Sequence, residues 1–245
     1  MNRWLFDLGN TRLKCAPLDD DGRIGQVHAI AHDDTRFEAD LAAVLPARFD
    51  EACIASVAAA GLRVRLLDVL AARCARLQLA CTLRRFDGVS IAYDNPARLG
   101  VDRFLALVGA RARGGGAVLV VGVGTALTID WLDAHGRHRG GRIAPSPARM
   151  REALHARVAH LPVAGGRYVE FASDTDDALE SGCTGAALAL VERSLEAAAT
   201  QAGATPRLLL HGGGGDALLG LLPQAIDAQT LVLEGLARWA QAGSR

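Results

Sequence analysis

Apolar positions fall in short runs broken by glycine and acidic turns, and two of these runs share one plan. Val118-Leu-Val-Val121 predicts a buried strand, Gly122 and Gly124 interrupt it, and Thr125 to Trp131 predicts a returning strand before the turn at Asp133-Ala-His-Gly136. Near the N-terminus, Trp4-Leu-Phe-Asp-Leu-Gly-Asn-Thr-Arg-Leu-Lys-Cys15 repeats it: apolar strand, Gly/Thr turn, returning strand, then a turn at Asp19-Asp-Asp-Gly22. With one residue gapped, Asp7-Leu-Gly-Asn-Thr11 aligns with Gly122-Val-Gly-Thr125. An internal repeat about half a chain apart implies two similarly folded halves. A strand ending in Gly-x-Gly-Thr frees backbone N–H groups and a hydroxyl where no bulky side chain intrudes, which is what a phosphate needs. Two such hairpins facing each other across a cleft would hold a polyphosphate from both sides.

The rest of the pattern fills in a mixed α/β chain. Strands are expected at 27–31, 52–57, 80–86 and 207–211, the last running into Gly212-Gly-Gly-Gly215. Helices are expected at 34–45 with Asp34 as N-cap, at 62–79, at 101–113, from Ser146-Pro147 to about His160, from Asp174 to about Ala202, from Ala217, and at 231–242. Ser90 to Gly100 reads as a loop because Asn95-Pro96 disfavours helix, and Gly114-Gly-Gly116 is the best joint between the halves. The expected domains are therefore 1–113 and 114–245.

Composition narrows the partners. The 245 residues are half hydrophobic with few aromatics, and 27 basic residues balance 27 acidic ones. A neutral chain without a basic stretch argues against nucleic acid. Charged residues interrupt every apolar run, so no membrane span is expected, and an N-terminus that enters a strand carrying Asp7 does not read as a signal peptide. Five scattered cysteines without Cys-x-x-Cys spacing read as reduced thiols in a cytoplasmic protein.

Candidate chemistry clusters at the turns. Asp7 could hold a Mg²⁺ carried by ATP phosphates, or stabilise the turn. Asn10 and Thr11 could donate to phosphate or shape the turn, and Lys14 could offset phosphate charge or be solvated. Asp102 is either an ordinary acid in a first helical turn or a base for a hydroxyl proton, with Arg103 beside it. Gly212 to Gly215 could admit a nucleotide or make a tight turn. The seven histidines show no metal spacing, and neither a Gly-x-Ser-x-Gly elbow nor a Walker-type Gly-Lys-Ser/Thr occurs.

Taken together, three motifs resemble those of type III pantothenate kinases, members of the acetate and sugar kinase/Hsp70/actin superfamily that are also similar to the Bvg accessory factor. They are Asp7-Leu-Gly-Asn-Thr-Arg-Leu-Lys14, Tyr93-Asp-Asn-Pro-Ala-Arg-Leu-Gly-Val-Asp-Arg103 and Gly124-Thr-Ala-Leu-Thr-Ile-Asp130, with less specific matches at Gly140 to Pro145 and Gly213 to Asp216. The resemblance implies two actin-like (ribonuclease H-like) halves, each a mixed five-stranded sheet flanked by helices, with the active site in the cleft and a homodimer. It implies phosphorylation of pantothenate by ATP with Mg²⁺, the first step towards coenzyme A, with Asp102 as base. Tyr93, Gly100, Val101, Asp102, Arg103 and Thr175 would meet pantothenate. Asp7, Leu8, Gly9, Asn10, Thr11, Arg12, Leu13, Lys14 and Thr125 would meet ATP. The competing expectation is a non-catalytic regulatory protein of the accessory-factor type that keeps the fold. Three positions depart from the family pattern: Gly122 for Asp, Ser146 for Gly and His211 for Thr. By the resemblance, the acid at 122 would hold a monovalent cation, K⁺ or NH4⁺, so glycine there either weakens that site or leaves it to another group such as Asp130. Ser146 and His211 would adjust a turn and a strand end.

Overall fold

The computed structural model describes residues 2–32 and 35–243. It divides into two units, Met1–Gly114 with Thr230–Arg245, and Gly115–Gln229. The first unit contains β1 (Arg3–Leu8), β2 (Arg12–Leu18), β3 (His28–Ala31), α1 (Phe37–Val44), β4 (Phe49–Ser56), α2 (Ala60–Ala71) and β5 (Cys74–Leu79). A small hairpin follows, β6 (Arg85–Phe86) and β7 (Val89–Ser90), then α3 (Val101–Ala112). The second unit contains β8 (Val118–Val123), β9 (Ala126–Leu132), β10 (His138–Pro145), α4 (Pro147–His155), α5 (Thr175–Ala202), β11 (Arg207–His211), α6 (Asp216–Leu219) and β12 (Ala225–Asp227). The closing helix α7 (Leu231–Ala242) returns to the first unit.

Both units are mixed five-stranded sheets flanked by helices, the actin-like plan expected from the repeat. Their strand orders are β3-β2-β1-β4-β5 and β10-β9-β8-β11-β12. In each, the central strand pairs antiparallel with its hairpin partner and parallel with the strand on its other side. In the first unit, Trp4, Phe6 and Leu8 pack with Phe37, Leu41, Leu66 and Leu70 of α1 and α2. Strand alternation turns Leu5 and Asp7 to the opposite face, the side of α7 and α3. In the second unit, Leu119, Val121 and Val123 pack with Ala187, Val191 and Ala198 of α5, which turns Gly122 to the other face.

The unit boundary differs from a simple cut at Gly114, and glycine is the reason. A Cβ on Gly109 of α3 would lie 2.3 Å from the Leu231 carbonyl, and one on Gly235 of α7 would lie 2.0 Å from the Leu105 carbonyl. These two glycines let the helix backbones touch, and Arg113 clasps Glu234 with bonds of 2.7 and 2.6 Å.

Other elements moved as well. The helix expected over 62–79 ends at Ala71, and Cys74–Leu79 form β5. Of the strand expected over 80–86, only Arg85–Phe86 is strand. The helix expected to reach His160 stops at His155, and α1 begins at Phe37, with Arg36 as its N-cap. The expected cap Asp34 lies outside the described residues. The hydrophobic pattern of the sequence predicts neither β10 nor β12. All five cysteines stand as free thiols, and among the described residues no helix is long and apolar enough to cross a membrane.

Candidate active site

The first hairpin carries the acids. The Gly9 N–H donates to the Arg12 carbonyl at 3.1 Å, closing a turn on which Asn10, Thr11 and Arg12 are exposed. Buried Leu8 and Leu13 flank that turn in register. One step further in, part-buried Asp7 stands opposite Lys14 on β2 and beside Ala55 on β4. The Asp7 carboxyl is pushed up from 3.8 to about 7, first by loss of hydration and then by the charge of Asp102, while Lys14 pulls it back. Lys14 across the same hairpin and Asp102, some ninety-five residues on in sequence, thus both act on Asp7 within one unit. Two carboxyl groups and an ammonium near one another are oxygen and cationic groups of the kind that a metal ion carried on phosphates uses.

Asp102 owes its position to the start of α3. Its Oδ1 accepts the Arg103 backbone N–H at 2.8 Å, and a Cβ on Gly100 would come within 2.5 Å of that same oxygen. Glycine at 100 is therefore what leaves room for the carboxylate. The preceding loop is tied down at several points. The Asn95 side chain accepts the Ala97 N–H at 3.1 Å and caps the single 3₁₀ turn Pro96–Arg98. The Thr82 hydroxyl donates to the Leu99 carbonyl at 2.8 Å, and Arg84 donates to the Asp94 carbonyl. Along this loop, Tyr93, Gly100 and Val101 are part-buried, and Arg103 is buried.

The turn of the second hairpin carries no acid. The Gly124 N–H donates to the Ala126 carbonyl at 2.9 Å. Ser146 occupies the N-cap position of α4, yet its hydroxyl caps no helical N–H; it donates to the Thr125 carbonyl at 3.2 Å. The serine that departs from the family pattern thus braces the residue expected to meet ATP. Gly212, with φ of 94°, folds the chain back on this hairpin: its Cβ would lie 2.4 Å from the Val123 carbonyl, which also accepts the Gly214 N–H at 3.0 Å. Close backbone packing accounts for glycine at 212. Thr175 lies exposed at the first position of α5, where Asp174 caps the helix by accepting the Asp177 N–H at 2.9 Å.

Gly122 is buried, and its register neighbours are Thr128 on β9 and His211 on β11. Asp130 shares a face with Thr128, but its Oδ1 lies 2.9 Å from His138 Nε2 in a buried pair. The sequence points to Asp7, Lys14, Asp102, Thr125 and Gly122, whereas the Ser146–Thr125 bond and the placing of His211 beside Gly122 come from the fold. The signals for those two were present only as departures from a pattern.

Two repeated sheets, each ending its central strand at a glycine hairpin, define an actin-like α/β protein. Solved structures of similar fold include a conserved Baf family protein from Campylobacter jejuni, with a TM-score of 0.63 at 19% identity over 98% of both chains. Another is the activator of the 2-hydroxyisocaproyl-CoA dehydratase from Clostridium difficile with bound ADPNP, with a TM-score of 0.56 at 11% identity over 100% of this chain and 96% of that one. At such identities the likeness shows the fold alone and carries over no regulatory role. The family model for type III pantothenate kinase matches residues 4–197. A type III pantothenate kinase of Xanthomonas campestris pv. campestris strain B100 is 57% identical over 240 residues, 98% of each chain. One of Xanthomonas axonopodis pv. citri strain 306 is 55% identical over 244 residues, 100% of this chain and 99% of that one. The chain belongs to the type III pantothenate kinase family.

Proposed function

We propose that the protein transfers the γ-phosphoryl group of ATP to the hydroxyl of pantothenate, giving 4′-phosphopantothenate and ADP on the way to coenzyme A. Family membership supports the reaction, and the observation that carries the assignment of roles is the coupling of Asp102, Asp7 and Lys14 in one unit. Asp102 takes the hydroxyl proton as the substrate oxygen bonds to the γ-phosphorus and the bridge to the β-phosphate breaks, leaving ADP. The Arg103 N–H on its Oδ1 fixes the carboxylate in place. Tyr93, Gly100, Val101 and Arg103 form the pantothenate side, and Thr175 reaches the substrate from α5. Asp7 would hold Mg²⁺ through ATP, which offsets phosphate charge; Lys14 adds its own, and the exposed turn from Gly9 to Leu13 and Thr125 meet the nucleotide. The working form in this reading is a cytoplasmic homodimer. The monovalent-cation position implied by the resemblance falls at Gly122.

Mixing the protein with ATP, MgCl₂ and pantothenate should release ADP and phosphopantothenate in equal amounts. Absence of pantothenate-dependent ADP across K⁺, NH4⁺ and Na⁺ salts overturns the reading, as does failure of the gene to rescue a cell that lacks pantothenate kinase.

A further inference from the structure

Strand β10 breaks its alternation at one place. His138 pairs with Leu132 and Gly141 with Asp130, so Arg139 and Gly140 together stand opposite Trp131 alone. This is a β-bulge, and Gly140 takes the left-handed turn of the chain at φ 106°. In an unbroken strand, side chains at 139 and 142 would point to opposite faces. The extra residue brings both to one hollow of about 270 Å³ between the sheet and the C-terminal half of α5. Buried Leu119 and Ile129 give the hollow an apolar lining, and Arg139, Arg142 and Gln201 stand exposed around it.

The charge here is of one sign, since no acid lines the hollow. The Arg139 guanidinium lies 5.8 Å from the centre of the Trp131 ring. Arg142 donates from Nη1 to Ser194 Oγ at 2.9 Å, and that hydroxyl donates onward to the Leu190 carbonyl at 2.6 Å. Among the described residues neither arginine meets a carboxylate; Glu196, on the same stretch of α5, pairs with Arg193 at 3.8 Å. Trp131 Nε1, on a side chain that lines the hollow, is buried without a hydrogen-bond partner. A donor left so costs stability until an acceptor meets it. Two guanidinium groups, an indole N–H and an amide all donate, and an oxyanion accepts from each of them.

We infer that the second unit carries a binding site for a small organic oxyanion, a carboxylate or phosphate ester on a short apolar body. The head group meets Arg139 and Arg142, and the body rests on Leu119 and Ile129. The site stands apart from the hairpin turn of the same unit. Leu119 lies on β8 five residues before Gly124, roughly 16 Å along a strand, and on the face that α5 covers, opposite to the one that Gly122 takes. The inference does not depend on the kinase reading.

The test is a titration of the ¹⁵N-labelled full chain, followed on the indole N–H signals of its three tryptophans, Trp4, Trp131 and Trp239, with Trp131→Phe identifying the signal of Trp131. The probes are phenyl phosphate, phenylacetate, benzyl alcohol and inorganic phosphate. At least one of the two organic anions should move the Trp131 signal along a saturable curve with Kd of about 1 mM or tighter, while the other two signals stay in place. The tighter of the two names the head group. Benzyl alcohol, which lacks the charge, and inorganic phosphate, which lacks the apolar body, should each bind about fivefold more weakly or worse. Arg139→Gln/Arg142→Gln should weaken the anions by about fivefold or more at a wild-type thermal midpoint, since both side chains are exposed. A Trp131 signal that ignores both organic anions up to about 20 mM overturns the inference. So does benzyl alcohol or inorganic phosphate binding as tightly as the organic anions, or a double variant that binds as wild type. If the double variant does not fold, the comparison of the four probes on wild type decides.

Discussion

The two sheets share strand order and register, yet equivalent positions at their strand ends carry opposite chemistry. Asp7, Lys14 and Ala55 in the first correspond to Gly122, Thr128 and His211 in the second. The first hairpin holds an acid whose charge is unwelcome, with a second acid, Asp102, raising it further. The second offers a hydroxyl and an imidazole edge over a glycine. A duplicated backbone can thus keep its strand order while its two copies carry different side-chain chemistry at equivalent positions. Substitutions in the first unit should move rate and pH behaviour, and those in the second should move nucleotide affinity.

The largest effect is expected at Asp102. Asp102→Asn keeps the shape and the bond from the Arg103 N–H but loses the base, so kcat should fall by roughly 10²–10⁴. Calorimetry should show pantothenate binding retained. A fall of less than about tenfold would remove Asp102 from the base role and break the division of labour between the units.

Next comes the asymmetry of the first unit, which alone takes in the distant helix α7. Gly235→Ala places a methyl 2.0 Å from the Leu105 carbonyl, a backbone atom that cannot swing away. A loss of about 1–3 kcal/mol in unfolding free energy is expected. Urea titration checks it, and an unchanged midpoint would mean that α3 and α7 can separate at little cost.

How much of this was legible in the sequence follows from where each strand sits. Central strands β1, β4, β8 and β11 are apolar on both faces and were visible as runs. The misread or missing strands β5, β10 and β12 lie at sheet edges, with exposed positions that blur alternation. Leu66, Leu70 and Cys74 kept a helical spacing past the true end of α2, so the helix ran on in the reading into what is β5. Asp7 and Asp102 each stand out in the sequence as candidates, but the effect of one on the other depends on α3 packing against β4, the strand beside β1. The Gly122–His211 contact needs the parallel register of β8 with β11, which no local pattern encodes.

Asp7 gives a pH signature for the first unit. Its carboxyl titrates near 3.8 when unfolded and at about 7 in the fold, so the folded state binds the proton more tightly. Stability from this group is full below pH 4 and is lost as pH rises through 7. Asp7→Asn, which resembles the protonated form, should therefore match wild type near pH 4 and gain on it up to pH 7, with the gain levelling above. The plateau should be of the order of 2 kcal/mol without nucleotide, since Asp7 is only part-buried. Thermal melts from pH 4 to 8 measure it, and a pH-independent difference would show that Asp7 is no carboxylate under strain.

The smallest effect belongs to the second unit. Ser146→Ala removes the hydroxyl that donates to the Thr125 carbonyl at 3.2 Å, and Ser146 is only 3% exposed, so water cannot easily replace it. An unsatisfied carbonyl in a part-buried place costs about 1 kcal/mol, less than a fully buried one, and part of that relaxes as the turn shifts. That shift moves Thr125 relative to the nucleotide, so KM for ATP should rise by about three- to tenfold while kcat stays within about twofold. Ser146→Thr keeps the hydroxyl and should recover the affinity if the buried site accepts the extra methyl. Equal losses in kcat and kcat/KM would instead place Thr125 in the chemistry itself, and the contrast between an acid-bearing first hairpin and a nucleotide-holding second one would fail.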